Sequence, residues 1–281
     1  MLLVLLVYVL FRGWRQKAMS QIAAFGGLTL GLVVGILVVP LIGGSQAVQA
    51  LDAALSPPPD VAGRIPGYLD DQGFPQVFGG AGRGQWSTVQ ILGIGCGAKI
   101  GAGSGFVTQP GFVVTNAHVI AGFARLRVRD AAGAHPAVTI HVDPALDIAV
   151  LSAPDVQAPA IGWTDTAATR GTEGVTLGFP GAQSQMVVQP ATVRSRIEVV
   201  GRDIYGEGSV RREILVLAAA LVQGDSGGPF VTNDGLVGGV VFAGNPGDRA
   251  TGYALTAEQV RPGIESAIAR NQEAGVGACR F

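Results

Sequence analysis

The chain has 281 residues, enough for one large or two small domains with appendages. Apolar residues make up 48%, charged residues only 14%, and mean hydropathy is +0.40, which points to a part of the chain that lies outside water. A formal net charge of −1 leaves no basic field, so nucleic acid is not expected as a partner.

From the N-terminus, residues 1–11 form a short apolar segment and residues 22–42 a longer one without any charge. The second, at 21 residues, matches the length a helix needs to cross a bilayer. Its Gly27, Gly31 and Gly35 form a small-residue stripe of the kind that lets membrane helices approach closely. Arg12, Arg15 and Lys17 lie between the two segments with no acid, which puts that loop in the cytoplasm and everything after residue 42 outside it. A cleaved signal peptide ending near Val48-Gln49-Ala50 is the rival, but the apolar run exceeds the usual 7–15 residues of such a segment. The expectation is therefore a membrane anchor over 1–43. Residues 44–84 are rich in Ala, Pro and Gly, with Pro57, Pro58 and Pro59 in succession, and read as an extended tether with a short helix around 47–55.

Residues 85–281 read differently. Short apolar or alternating runs at 88–94, 103–108, 112–116, 126–129, 137–142, 148–152, 174–179, 186–195, 213–217, 229–232, 237–243 and 252–255 are broken by turn signals, among them Pro110-Gly111 and Asp234-Gly235. Closely spaced strands with no long helical period between them predict an all-β domain of antiparallel barrels or sandwiches. Thr256 with Gln259 makes a capping-box pattern, opening a helix over 257–271 that Pro262 interrupts and whose apolar face is Val260, Ile264 and Ile268.

The chemistry centres on Gly224-Asp225-Ser226-Gly227-Gly228-Pro229. A serine set among glycines can present its hydroxyl and leave neighbouring N–H groups free, but it needs a base and an orienting carboxylate. Of three histidines, His135 precedes Pro136 in a turn-like stretch and reads as a solvated loop residue, and His141 alternates within a strand as a surface residue. His118, where the apolar run at 113–116 ends in small residues, is the base to expect. Asp147, flanked by Leu146 and Ile148, is costly to bury unless it accepts hydrogen bonds, which suits the orienting role. Asp143, before Pro144, competes with it but reads better as a turn cap. Cys96 and Cys279 are too few and too far apart for a zinc site. They suit one disulfide in an oxidising compartment or, in the cytosol, two reduced thiols. Neither metal nor cofactor is expected.

Thr115-Asn116-Ala117-His118-Val119, Asp147-Ile148-Ala149-Val150-Leu151 and the glycine-flanked Ser226 resemble, in order, the three signatures of trypsin-like serine proteases. With the apolar N-terminus, the tether and the cysteine pair, the chain is similar to the MarP-type membrane-anchored periplasmic proteases of actinobacteria, which are tied to acid tolerance. Their membrane domain has about four spans, so the anchor here looks abbreviated. The resemblance implies two six-stranded β-barrels with a C-terminal helix and no cofactor. It also implies a catalytic triad of His118, Asp147 and Ser226, and an oxyanion hole from the N–H groups of Gly224 and Ser226. Protein or peptide substrates and a periplasmic site of action follow. Where relatives that cut after basic residues carry a pocket aspartate, this chain has Ala220. With Val241, Phe242 and Ala243 on the facing wall, cleavage after small or hydrophobic residues is expected. No Ile-Val-Gly-Gly stretch follows a basic residue, so Asp225 needs a partner other than a newly released N-terminus. The rival functions are an HtrA-like quality-control protease, although no PDZ-sized region follows and Asp225 stands where those enzymes carry Asn, and a catalytically silent binding or chaperone module.

Overall fold

The computed structural model describes residues 81–95 and 99–279. The segments 1–11 and 22–42, the short helix expected around 47–55 and Cys96 lie outside the described residues. Among the described residues no helix is long and apolar enough to cross a membrane.

Helix α1 (Ala81–Ser87) opens the described chain, so the expected tether gives way to structure slightly before residue 85. Twelve strands follow, one for each run expected from the sequence. β1 (Thr88–Gly95), β2 (Lys99–Gln109), β3 (Phe112–Thr115), β4 (Phe123–Asp130), β5 (Gly133–Asp143) and β6 (Ile148–Ser152) close into one antiparallel barrel in the order β1-β2-β3-β6-β5-β4. β7 (Glu173–Gly178), β8 (Val187–Gly201), β9 (Val210–Ala218), β10 (Pro229–Thr232), β11 (Val237–Asn245) and β12 (Asp248–Thr256) close a second, in the order β10-β11-β12-β9-β8-β7. Closure leaves neither sheet an unpaired edge. Short helix α2 (Ala117–Ile120) follows β3, and α3 (Ala257–Arg270) follows β12.

Strand β2 matters most for the site. Its glycines at 101, 103 and 105 share one face, because side chains alternate along a strand. A Cβ at Gly101 would collide with the Phe123 ring, and one at Gly103 would come within 2.6 Å of Val119 on α2. The bare face therefore lets α2 and its surroundings close directly onto the strand. One apolar cluster runs through both barrels, from Phe106, Val114 and Val150 to Leu177, Val231 and Leu255. Phe106 and Trp163 meet edge to face at 5.4 Å within it.

The C-terminal helix buries Val260, Ile264 and Ile268 as expected, with Ala257 and Ala267 beside them. Two details differ from expectation. The Thr256 side chain makes no cap bond; its hydroxyl donates to Glu213 Oε2 (3.4 Å), while Gln259 Oε1 accepts the Glu213 N–H (2.9 Å). Both groups of the capping-box pattern instead dock the helix on β9 through Glu213. The helix also runs on through Pro262 without interruption, because its packed face holds it on either side of the one missing hydrogen bond. His135 is not a loop residue but lies in β5, with Nε2 3.0 Å from Asp130 Oδ1. That carboxylate also accepts the N–H groups of Ala132, Gly133, Gln157 and Ala158, so it is a structural anchor and His135 belongs to it.

Candidate active site

His118 sits in α2 directly after β3, where Asn116 takes the N-cap position. Asp147 lies at the end of the turn joining β5 to β6. Asp143 caps that turn by accepting the Leu146 N–H at 2.9 Å, as its sequence setting suggested. The Asp147 carboxylate grips His118 twice: Oδ2 is 2.7 Å from His118 Nδ1, and Oδ1 accepts the His118 backbone N–H at 2.9 Å. With the side chain of Asp147 8% exposed, both contacts lie away from bulk water. The carboxylate therefore fixes the ring's orientation and selects the tautomer carrying its proton on Nδ1.

This grip has a backbone cost. Asp147 adopts a φ of 58°, in the left-handed region that non-glycine residues avoid. The Asn116 side chain holds it there, Nδ2 donating to the Asp147 carbonyl at 2.8 Å. Asn116 thus ties the residue carrying the carboxylate to the residue pair that precedes the imidazole.

Ser226 lies on the loop 219–228 between β9 and β10, on the second barrel. The first barrel reaches across to it: the Ser104 N–H of β2 donates to Ser226 O at 2.9 Å. Gly103 is the common neighbour, since a Cβ there would touch both Val119, next to His118, and Ser226 O at 3.4 Å. Gly227 approaches so closely that a Cβ would collide with Ser104 O and Thr115 Oγ1, and its φ of 87° requires glycine independently. The topology thus sets the helix carrying His118, which Asp147 grips, and the loop carrying Ser226 against the same glycine of β2. The Ser226 hydroxyl itself donates to Phe242 O at 3.3 Å.

The peptide groups of the loop are pinned one by one. Gln223 O accepts the Gly181 N–H (2.8 Å), Gly224 O accepts the Ser104 hydroxyl (2.7 Å), Asp225 O accepts the Gly228 N–H (3.0 Å) and Ser226 O accepts the Ser104 N–H (2.9 Å). In a trans peptide the N–H points opposite to the carbonyl, so each bond also aims the next N–H. Two of those N–H groups are occupied, Asp225 with Val222 O (3.1 Å) and Gly227 with Val241 O (2.8 Å). The other two, on Gly224 and Ser226, donate to no partner among the described residues. Two oriented, unsatisfied donors beside a serine hydroxyl make a site able to hold a developing negative charge.

Asp225 shapes this loop locally. It is 4% exposed, and its Oδ2 accepts the Val222 N–H at 2.9 Å. Burial pushes its carboxyl above the usual range, and the Val222 hydrogen bond offsets that only in part. Among the expected pocket residues, Ala220 is exposed, Val241 faces the core of the second barrel, and Phe242 is half-buried against Tyr253, with Ala243 after it. Leu221, next in the chain after Ala220, is buried: a Cβ on Gly252 would collide with its side chain, and one on Gly244 with its carbonyl.

Two closed barrels, an imidazole–carboxylate pair on one and a glycine-flanked serine on the other define the chymotrypsin-like class of hydrolase domains. A family model described as a trypsin-like peptidase domain matches residues 103–240. Serine protease Rv3671c of Mycobacterium tuberculosis is 38% identical over 182 residues, covering 64% of this chain and 45% of that protein. Mitochondrial serine protease HTRA2 of Bos taurus is 36% identical over 160 residues, 54% of this chain and 34% of that protein. The chain thus spans less than half the length of these relatives. Among solved structures, the active form of the Rv3671c protease superposes with a TM-score of 0.68 at 36% identity, covering 72% of this chain and 89% of that one. The chain belongs to the trypsin-like serine protease family.

Three residues escaped the sequence reading: Asn116, Ser104 and Leu221. The first two stood inside or near recognised motifs, but their roles are hydrogen bonds to residues 31 and 120 positions away. Leu221 read as one more apolar residue in an apolar run.

The strained ionisation of Asp225 makes a stability prediction. A carboxyl whose folded-state pKa is raised favours the folded state fully while protonated, and loses that contribution as pH rises through the folded value. Asp225→Asn keeps an oxygen for the Val222 N–H and removes the buried charge. It should raise Tm at pH 7, with the gain shrinking as pH falls toward the ordinary aspartate value of about 3.9. Thermal melts of both proteins across pH 4–7 check this; a lower Tm for the variant at pH 7 would count against it.

Proposed function

We propose that this chain is a serine endopeptidase in which His118 is the general base, Asp147 its orienting carboxylate and Ser226 the nucleophile. The observation that carries the reading is the pinned run of peptides from Gln223 O to the Gly227 N–H, within which the Gly224 and Ser226 N–H groups have no partner among the described residues and lie beside the serine hydroxyl. Rotation about the Ser226 Cα–Cβ bond takes Oγ from Phe242 O toward His118 Nε2. Oγ then attacks the scissile carbonyl as Nε2 accepts its proton. The carbonyl oxygen, now negative, takes the two free N–H groups, and the imidazolium is stabilised by Asp147 Oδ2. His118 passes the proton to the leaving amine as the C–N bond breaks, and water repeats the sequence on the acyl-enzyme. A fluorophosphonate probe should label the protein and fail to label Ser226→Ala. Asp147→Asn, which presents the wrong tautomer of His118, should lower kcat by about 10⁴-fold. Labelling that survives in Ser226→Ala would exclude this assignment.

The preferred substrates are proteins or peptides cut after small or medium hydrophobic residues. Ala220 supplies no charge where relatives that cut after basic residues carry an aspartate, and the apolar Leu221 packs against Gly244 and Gly252. A peptide library should return Ala- and Val-like residues before the cleaved bond, and Leu221→Ala should extend the preference to larger side chains. A profile dominated by Arg or Lys would refute the apolar pocket.

In the whole protein, residues 22–42 anchor the protease domain on the outer side of the inner membrane, where it acts in envelope or acid stress, and Cys96 pairs with Cys279. The disulfide is supported by two features of the C-terminal tail. Cys279 Sγ lies 4.0 Å from Gly122 O, the same carbonyl that Gly95, next to Cys96, packs against. No free cysteine occurs among the described residues. The closed loop would contribute about 4–5 kcal/mol in the chain-entropy model. One experiment reads both: the enzyme should fractionate with membranes and take up thiol-alkylating reagent only after reduction. Soluble protein with two alkylatable thiols would overturn both.

A further inference from the structure

Ser104 is fully buried in β2, yet every polar group it has is spent on holding other segments. Its hydroxyl donates to Gly224 O at 2.7 Å and accepts the Phe179 N–H at 2.8 Å. Its N–H donates to Ser226 O at 2.9 Å, and its carbonyl accepts the Thr115 hydroxyl at 2.7 Å. Phe179 leads into the 3-10 turn Pro180–Ala182, whose Gly181 N–H fixes Gln223 O. One first-barrel residue therefore determines, directly or through one further hydrogen bond, the setting of three of the four peptide groups around the two free N–H donors.

We propose that Ser104 is a positioning residue that sets the oxyanion-binding loop of the second barrel, a role that rests on the serine-protease reading of the site. The loop needs such a hold from outside. Its one buried charge, Asp225, bonds only to Val222 within the same loop and makes no ion pair among the described residues, so it cannot tie the loop to the body of the protein. Gly224, with φ at 103° and no side chain, is free to turn over once its carbonyl loses its partner. Removing the Ser104 hydroxyl leaves Gly224 O and the Phe179 N–H buried and unpaired, which favours rearrangement to find new partners. The nearest freedom available is rotation of the peptides on either side of Gly224, and that rotation takes its N–H out of the site.

Donors that act on the tetrahedral intermediate affect the transition state more than substrate binding. Ser104→Ala and Ser104→Gly should therefore lose about 10²-fold in kcat, with KM changed by less than about 3-fold. Inhibition by a peptide aldehyde, whose adduct places an oxyanion in the same position, should weaken in parallel. Ser87→Ala, which removes another buried hydroxyl that donates only to Arg83 O, should keep wild-type kcat. Activity is normalised to sites titrated by the fluorophosphonate, so loss of folded protein does not enter. Amide hydrogen exchange over 219–228 should accelerate in both Ser104 variants. If both retain kcat within about 3-fold per titrated site while exchange is unchanged, Ser104 only packs the barrel and the proposal fails. If the wild-type protein neither labels nor turns over, the protease reading fails instead, and the exchange measurement alone decides whether Ser104 holds the loop.

Discussion

Buried peptide groups must be paired, and at the junction of the two barrels they are paired across it. The loop carrying Ser226 has no regular structure of its own, and strands of its own barrel satisfy only its ends, at the Ala219 and Gly227 N–H groups and Gly228 O. Its carbonyls reach instead to Ser104 on the first barrel, to the 3-10 turn at Pro180–Ala182 and back to Gly228 within the loop. The 3-10 turn is itself held by the first barrel, through the Gln90 amide donating to Gln183 O at 2.9 Å and the Phe179 N–H donating to the Ser104 hydroxyl at 2.8 Å. Each barrel closes on its own hydrogen bonds, but the site exists only where the two are fastened together. The two free donors, on Gly224 and Ser226, are what remains in the run from Gln223 O to the Gly227 N–H once its carbonyls and its other N–H groups are paired.

Two buried aspartates show how differently the same group can be used. Asp147 receives two hydrogen bonds on its carboxylate, both from His118, and its backbone is held in a strained conformation by Asn116. Its charge is directed at a ring that can itself become charged. Asp225 has a single neutral N–H on its carboxylate and no cation beside it among the described residues, and its ionisation is disfavoured accordingly. The first aspartate is spent on orienting the His118 ring. The second closes a four-residue turn that sets the direction of the chain into Ser226.

The strands were legible because each alternates or runs apolar over a few residues and ends at Gly, Pro or Asn-rich turns; Ile148–Ser152 and Pro229–Thr232 have the bounds the pattern predicts. Long hairpins such as Val187–Gly201 with Val210–Ala218 extend beyond the apolar runs because cross-strand pairs carry the pairing outward, including Arg196 with Glu213 at 2.6 Å. His118 and Asp147 were singled out from their local settings, and the two are hydrogen-bonded; Ser226 was singled out from its glycine-rich flanks. The residues that hold them were not. Asn116 and Ser104 act through hydrogen bonds to distant backbone carbonyls, and a carbonyl leaves no mark in a sequence. Thr256 and Gln259 misled for the same reason: a pattern that fits a local cap was recruited by Glu213, 43 and 46 residues earlier.

The glycines of β2 and of the loop meet one geometric demand. Strand β2 must accept α2 on one face and the Ser226 loop at its edge, and both must come within backbone contact distance for Ser104 to bond the loop. Gly103 removes the Cβ that would separate Val119 from the strand, and Gly227 removes the one that would separate the loop from Ser104 O. A side chain at either position would push one barrel's contribution away from the other by more than a hydrogen bond tolerates. The glycine-rich flanks around Ser226 therefore do more than expose a hydroxyl. They set the distance at which a residue of the first barrel can reach the peptides of the second, and the aim of the two free N–H groups depends on that distance being kept.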